Sequence, residues 1–427
     1  MRRRVPAVLL AAAVLAGCGS DAGSDGKTEI TFWDTNAGPA RTPIWQHAIA
    51  EFEKANPTIK VNYVGVPIAQ AAQKIDTAIA GGGTPDVADV ATSGLGNLVA
   101  QKALEPVDDR IAKNPALNGK FNDSLLTTVK NVVPDGKMYI IPTSTNAGAF
   151  WYRKDWFAQA KLEPPKTWSE FFSVVDKLTK PEENRFGFTI RGGAGSIAQM
   201  LEVVYGQSGI TEFFDASGKA TINDPRNVTA LEKYAGLYKK NTPEADLQND
   251  YVKMVAQFDT AGSIAVMQHN LGSYQDHMKA LGPDKVASFS VPKSDSGVQA
   301  VLSNPVSGVG VFAASEKKEA AFKLAEFFAA KETDGYIAEK SGVIPANTDV
   351  QGTQAAHITE AQRVLNDPAT KVVQMPYYLP EFNEITKTWS EPQFQKVLLG
   401  QLSAKDFLDQ FAAKLTEAQA GYKKRHG

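Results

Sequence analysis

The stretch TEITFWDTNAGPARTPIWQHAIAEFEKANPTIKVNYVGVPIAQAAQKIDTAIAGGGTPDVADV, residues 28–90, decides the fold class. Glu29-Ile30-Thr31-Phe32-Trp33 reads as a strand, rich in β-branched and aromatic residues. Pro43 opens a helix with Ile44, Trp45, Ala48, Ile49 and Phe52 on one face, and Asn56-Pro57 ends it. Ile59, Val61 and Tyr63 alternate as a second strand. Residues 68–80 carry Ala69, Ala72, Ile75, Ala78 and Ile79 at helical spacing, Gly81-Gly82-Gly83-Thr84-Pro85 breaks the helix, and Asp86 to Val90 is a third strand. The order β-α-β-α-β is the signature of a mostly parallel sheet covered by helices.

The rest of the chain repeats that style. Val228, Leu231, Tyr234, Ala235 and Tyr238 predict one amphipathic helix, Ala320, Ala321, Leu324, Phe327 and Phe328 another, and Phe407, Phe411, Leu415, Ala418 and Tyr422 a long terminal one. No short period recurs, which argues against a solenoid or propeller. The 427 residues suffice for two domains, and 43% apolar with 22% charged residues is the balance of a globular protein with a real core. Net charge is −2 with no basic block in the folded part, so nucleic acid is not an expected partner.

Residues 1–17 read as a secretory signal: Arg2-Arg3-Arg4 is the positive region, and Val5 to Leu15 is an 11-residue apolar stretch, too short to span a bilayer. Its removal takes the net charge to −5. Leu15-Ala16-Gly17-Cys18 looks like a bacterial lipobox, with small residues before a thiol that would take a diacylglycerol. Cys18 is the only cysteine, so no intramolecular disulfide and no Cys-based metal site can form. Residues 18–27 are then the lipidated Cys18 and a Gly/Ser/Asp tether, and no later run of 18 apolar residues spans a membrane.

Catalytic signatures are missing. The sequence holds no G-x-S-x-G elbow, no H-E-x-x-H and no Walker A loop, and its five histidines, at 47, 269, 277, 357 and 426, show no metal-ligand spacing. Gly193-Ala194-Gly195-Ser196-Ile197-Ala198 fits a loose dinucleotide pattern after a predicted strand, Phe186 to Ile190, but lies outside any clean first βαβ unit. A glycine-rich turn lining a ligand cleft is the better reading. No cofactor and no metal is expected.

Several segments together resemble the extracellular solute-binding proteins of sugar ABC importers, the maltose-binding-protein-like family 1. Glu29 to Trp33 resembles the opening strand and Gly82-Gly83-Thr84-Pro85-Asp86-Val87 the "G-x-x-P-D-V" turn. GKMYIIPTSTNAGAFWYRKDWFAQAKLEPPKTWSEFF, from Gly136, is similar to "G-K-x-Y-x-I-P … x-x-Y-N-K-D-x-F-x-x-A-G-L-x-x-P-P-x-T-W-x-E", with Arg153 and Lys161 where Asn and Gly are common. Phe258 to Met267 is like "F-x-x-G-x-A-A-M", and Ser341 to Ala346 like "G-x-I-P-A". The resemblance covers nearly all of residues 28–427.

It implies an α/β, two-lobed periplasmic-binding-protein-like fold, each lobe a central sheet flanked by helices, with the ligand clamped in the cleft between lobes. Residues 28–143 plus 291–335 would form the N-lobe, and 144–290 plus 336–427 the C-lobe. Tyr139-Ile140-Ile141-Pro142 and Ser288-Phe289-Ser290-Val291-Pro292 would be crossing strands, each ended by a proline that suits a hinge. A third crossing is expected near 330–340. The implied function is capture of a sugar and its delivery to an ABC permease by an open-to-closed motion, from a lipid-anchored monomer outside the cytoplasmic membrane.

A sugar site needs short polar side chains, an Arg or carboxylate, and aromatic platforms, because an unmatched buried polar group costs about 1–3 kcal/mol. Loops at the carboxyl ends of strands should line it. Asn36 follows the first strand and is a ligand contact or a turn former. Thr92 and Ser93 bind ligand or cap the helix from Leu95. Asn146 follows the first crossing, where the family commonly places a polar contact. Arg191, beside Gly192, either forks onto ligand hydroxyls or a carboxylate, or pairs with a surface acid. His269 and Asn270 stand where the family usually has Asn-Gly, and Tyr274 where a stacking Trp often sits. Ser303, Asn304 and Ser307 open the returning N-lobe segment, and Tyr377, Tyr378, Glu381 and Phe382 precede the terminal helices. Trp33, Trp151, Trp156 and Trp168 read mainly as packing. The alternatives are another cargo (a polyamine, metal, phosphorylated polyol or peptide), an exported polysaccharide hydrolase using Asp34 and Glu381, or a ligand-binding partner of a surface sensor.

Overall fold

A computed structural model of the chain describes residues 26–351 and 355–426. The expected signal, Cys18 and nearly all of the tether lie outside the described residues. In chain order the strands are β1 (Thr28–Asp34), β2 (Ile59–Gly65), β3 (Val87–Ala91), β4 (Ile141–Thr145), β5 (Gly148–Arg153) and β6 (Phe186–Thr189). They continue as β7 (Ile264–Asn270), β8 (Val286–Ser290), β9 (Ala300–Leu302), β10 (Ser307–Val311), β11 (Ile344–Pro345) and β12 (Lys371–Val373). Six strands form one sheet in the order β11-β4-β10-β3-β1-β2, four form a second in the order β6-β7-β5-β8, and β9 pairs with β12. Each sheet is flanked by helices, giving two α/β lobes.

The first lobe grows from the opening stretch. β1 runs parallel to β2 and β3, paired at Thr28↔Ile59 and Phe32↔Val87. Helices cover both faces, so β3 is buried at all but its last residue. The helix Thr42–Ala55 buries Ile44, Trp45, Ala48, Ile49 and Phe52, the face its spacing predicts. Pro43 sits in its first turn, where a missing N–H leaves no bond unmade. Trp45 meets Phe32 and Phe328 at ring separations of 5.0 Å each, tying this helix and the helix Lys318–Ala329 to the sheet.

In the second lobe, alternation along β5 separates two cores. Phe150 packs with Trp168, Phe171 and Phe289 on one face, while Ala149 and Trp151 meet Met254, Phe258 and Met267 on the other. A capping box between Thr167 and Glu170 starts the helix Trp168–Leu178, which lies close on β6. Only glycine fits there: a Cβ on Gly187 would come 2.0 Å from the Val175 carbonyl oxygen.

The passages between lobes fall later in the chain than expected. Ile141 and Pro142 are still ladder residues of the first sheet, opposite Val309 and Gly308, and the chain passes at Asn146-Ala147, since Gly148 already pairs with Asn270. Ser288 to Ser290 lie in β8 of the second sheet, and Val291 and Ala300 to Leu302 pack in the second-lobe core. The return therefore comes after Leu302, not at residue 291. Residues 331–341 form a helix whose Ile337 packs in the first-lobe core, and first-lobe bonds persist through Thr348, whose N–H donates to Lys120 O. The helix Ala356–Asn366 then belongs to the second lobe through Ile358, Ala361 and Val364. A proline after a strand was thus a poor hinge marker: Pro142 needs no ladder N–H, and the loop after Pro292 is held by Lys293 N–H to Lys166 O. Among the described residues no helix is long and apolar enough to cross a membrane.

Candidate functional site

Between the lobes lies a cleft of about 690 Å³. Its first-lobe wall is small and polar, with Ser93, Gly96 and Asn97 on the helix Thr92–Ala100, beside Val132 and Pro134. Its second-lobe wall is apolar and aromatic. Ile197, Ala198 and Leu201 come from the helix Ser196–Ser208, and Met375, Tyr377, Tyr378, Leu379 and Phe382 from the segment after β12. An inner pocket of about 130 Å³ adjoins the cleft, with Gly195, Ala198, Met375 and Tyr377 lining both. It gathers the polar side chains of Arg191, Gln199, Glu202, His269, Asn270, Ser303 and Asn304.

The turn after β6 builds one side of this pocket. Gly192 N–H donates to Asp246 O at 3.0 Å, and a Cβ there would sit 2.5 Å from that oxygen. Gly195 takes φ +86°, and its N–H donates to Glu391 Oε1 at 2.6 Å. The helix N-terminus is thus met by the chain's own carboxylate, and nothing here matches a dinucleotide cradle. Arg191 Nε donates to Ala194 O at 2.5 Å, and its two terminal nitrogens have no hydrogen-bond partner among the described residues.

Burial sets the electrostatics of the pocket. It pushes the Glu202 carboxyl up to about 7, against the lowering effect of the hydrogen bond from Gln268. It pushes His269 down to about 3, helped by the charges of Arg191 and His277, so the imidazole stays neutral. His269 stacks on Tyr251 with ring centroids 4.4 Å apart. Arg191 is lowered by burial and supported by Glu391 and Asp250.

The fold brings some of the expected residues together and not others. Arg191, His269, Asn270 and Asn304 line the inner pocket, and Ser93, Tyr378 and Phe382 line the cleft. Asn146 lines a separate small cavity with Asn304, and its Oδ1 accepts the Leu271 N–H at 3.1 Å. The others lie outside the cleft and inner pocket. Asn36 is exposed, its N–H turned to Asp34 Oδ1 at 3.1 Å. Thr92 is buried and exchanges bonds with the Val306 backbone. Gly192 is sealed under the carbonyls of Asp246 and Leu247. Tyr274 stacks on His357 at 4.0 Å, and Trp151 is core, its Nε1 donating to Asn270 O. Asp34 is fully buried against Arg41 and Tyr63, while Glu381 pairs with Arg425 at 3.1 Å, so these carboxylates do not face each other as a hydrolytic pair would.

Gln199 and Glu202 were not singled out from the sequence. Their signal was present: two polar residues three apart inside an otherwise apolar helix, SIAQMLEVVYGQS, which buries Gln199 and Glu202 with its Met, Leu and Val side chains. No group of three or more metal-ligating side chains occurs among the described residues.

Comparison with known proteins agrees with this architecture. The family model described as "Bacterial extracellular solute-binding protein" matches residues 38–334. A mannitol-binding protein of Pseudomonas aeruginosa is 26% identical over 408 residues, covering 88% of this chain and 89% of that protein. The substrate-binding protein Lmo0181 of Listeria monocytogenes, solved in complex with cycloalternan, superposes with a TM-score of 0.73 at 25% identity, over 92% of this chain and 99% of that one. The sugar-binding protein MalE of Xanthomonas citri shares the fold, with a TM-score of 0.77 at 20% identity over 93% and 98% of the two chains.

Proposed function

Because the chain belongs to the bacterial extracellular solute-binding protein family, we propose that it captures a sugar or sugar alcohol between its lobes and hands it to the permease of an ABC importer. It is a binding protein, not an enzyme, as its family is. The observation that carries the cargo class is the make-up of the cleft. The polar side chains gathered in the inner pocket supply donors and acceptors for hydroxyls, and Tyr377 and Tyr378 offer faces for the apolar side of a sugar ring. The mannitol-binding relative supports a hydroxylated cargo.

Capture works by hinge closure about the passages at Asn146-Ala147 and after Leu302. Cargo shifts the open–closed balance by its differential affinity for the two states, and the closed form docks on the permease. The segment Leu15-Ala16-Gly17-Cys18 supports cleavage after residue 17 and lipid attachment at Cys18, which leaves a monomer tethered outside the cytoplasmic membrane.

A thermal-shift screen against mono-, di- and oligosaccharides and sugar alcohols tests the reading, with polyamines, amino acids and metal ions as controls. Cargo at 100 times its Kd adds about 2.7 kcal/mol of stability. A hit on one sugar class, with the sugar recovered unchanged, is the expected result. Hits confined to the controls would sink the sugar claim, and a consumed oligosaccharide would sink the binding-only mechanism.

A further inference from the structure

The inner pocket holds a carboxyl group that no described residue neutralises. Glu202 is 8% exposed, on the helix Ser196–Ser208, flanked by the fully buried Leu201 and Val203. Its Oε2 accepts a hydrogen bond from Gln268 Nε2 at 3.0 Å, and the same nitrogen donates to Gln199 O at 3.1 Å. Among the described residues none donates a hydrogen bond to Oε1, and no cation pairs with the group. A buried carboxyl with half its acceptor capacity unused is costly to keep for packing alone.

Its position is set from the opposite side by Gly148. A Cβ there would come 1.8 Å from Glu202 Oε1, so a glycine at the first position of β5 makes room for the carboxyl. Gly148 directly follows the passage at Asn146-Ala147. The carboxyl therefore sits where the lobes pivot, within a pocket that also holds Arg191, His269 and Asn304.

We propose that Glu202 is a ligand-contacting residue whose Oε1 accepts a hydroxyl hydrogen of the sugar unit seated in the inner pocket and so orients that unit. The proposal rests on the sugar-capture reading above. The bond is strongest to an ionised carboxylate, and burial holds Glu202 at about 7. Arg191 at the end of β6 is the charged neighbour in the pocket, and His269 on β7 stays neutral. Gln268 on β7 and Gln199 on the same helix carry no charge. The Tyr234 and Tyr377 phenols are pushed up by burial and, further, by the Glu202 charge, so they stay protonated. Glu202 is then the pocket group that changes charge between pH 6 and 8.

The experiment titrates mannitol, lactose, arabinose and maltotriose calorimetrically into the whole chain, expressed with Cys18→Ser, and into its Glu202→Gln and Glu202→Leu variants. For a sugar that binds the parent, Glu202→Gln is expected to weaken binding about tenfold or more, and Glu202→Leu further. Parent affinity falls as pH drops from 8 to 6, while that of Glu202→Gln stays flat. The pH profile separates contact from scaffolding and stands on Glu202→Gln alone if the leucine variant does not fold. Equal affinity and equal pH profiles in parent and Glu202→Gln overturn the contact while the sugar reading survives. Silence of the parent toward every sugar overturns the sugar reading and the contact with it.

Discussion

Asn122 Nδ2 in the first lobe donates to Asn366 Oδ1 in the second at 2.9 Å. The same Asn122 caps its own helix, Asp123–Lys130, its Oδ1 accepting from Ser124 N–H at 2.8 Å. One side chain thus starts a helix with its oxygen and ties the lobes with its nitrogen. Substitution can separate the two roles. Asn122→Asp keeps the cap oxygen and places a negative charge at a helix N-terminus, but has no hydrogen to give Asn366. Its melting temperature should hold, while sugar affinity falls about two- to tenfold, as expected for one lost hydrogen bond. Asn122→Ala should lose both properties, with about 0.5–2 kcal/mol of stability gone. Calorimetric titration beside a melting curve checks this, and wild-type affinity in Asn122→Asp would show that the tie does not favour closure.

Gly187→Ala is expected to be among the more damaging single-methyl additions in the second lobe. The new Cβ would press on the Val175 backbone, with contacts of 2.0 Å to its oxygen and 2.7 Å to its carbonyl carbon. Backbone cannot rotate away as a side chain can, so the helix Trp168–Leu178 must move off β6. Overpacking of this kind costs about 1–3 kcal/mol. Chemical denaturation gives the number, and a loss below 0.5 kcal/mol (roughly the effect of an ordinary surface substitution) would show that the strand and helix are not in rigid contact.

Tyr378 should contribute to binding through its ring rather than its hydroxyl. The hydroxyl is engaged with Gln419 Oε1 at 2.6 Å, and the ring lines the cleft beside Tyr422, with centroids 4.8 Å apart. Tyr378→Phe is expected to keep sugar affinity and lose about 1 kcal/mol of stability. Tyr378→Ala should weaken binding about tenfold, the scale of a lost aromatic contact. The reverse ranking in titration would move the site away from this wall.

Two buried groups should give the ligand-free protein opposite pH responses. Glu202 is raised from 4.5 to about 7, so between those values the folded state holds a proton that the unfolded state has lost. That stabilising contribution is complete below pH 4.5 and is lost as pH rises through 7. Glu202→Gln should therefore gain on the parent from pH 5 to pH 8. His269 is lowered from 6.5 to about 3, so in that window the unfolded state binds the extra proton and acid destabilises the fold. His269→Asn should lose less stability than the parent between pH 7 and pH 4, by up to about 1.4 kcal/mol per pH unit. Melting curves across pH read both, and parallel profiles for variant and parent would contradict the assignment.

Fold and site were not equally legible in the sequence. The opening β-α-β-α-β stretch could be read nearly residue by residue, because Ile44, Trp45, Ala48, Ile49 and Phe52 state both the helix period and its buried face. The lobe borders could not. A strand such as β8 looks the same whether its neighbour is in one sheet or the other, and the pairing of β5 with β8 that settles Val291 is a tertiary fact. Strand-end logic located Arg191, His269, Asn270 and Asn304 in the inner pocket. It failed for Asn36, which lies exposed in the turn after Asp34, and for Thr92, whose hydroxyl is taken by the Val306 N–H. Glu202 escaped it altogether, because it reaches the pocket from the first turns of a helix rather than from a loop.

The sheet order of the first lobe has a consequence for the birth of the protein. β3 and β4 are not neighbours; β10, more than 150 residues further on, fills the place between them. Until Ser307 to Val311 have left the ribosome, the middle of that sheet is a gap with two unpaired edges, and no stable first lobe can form. Such long-range pairing slows folding. A nascent chain that cannot close its first sheet early stays threadable, the condition a polypeptide needs when it must pass through a membrane pore before it folds.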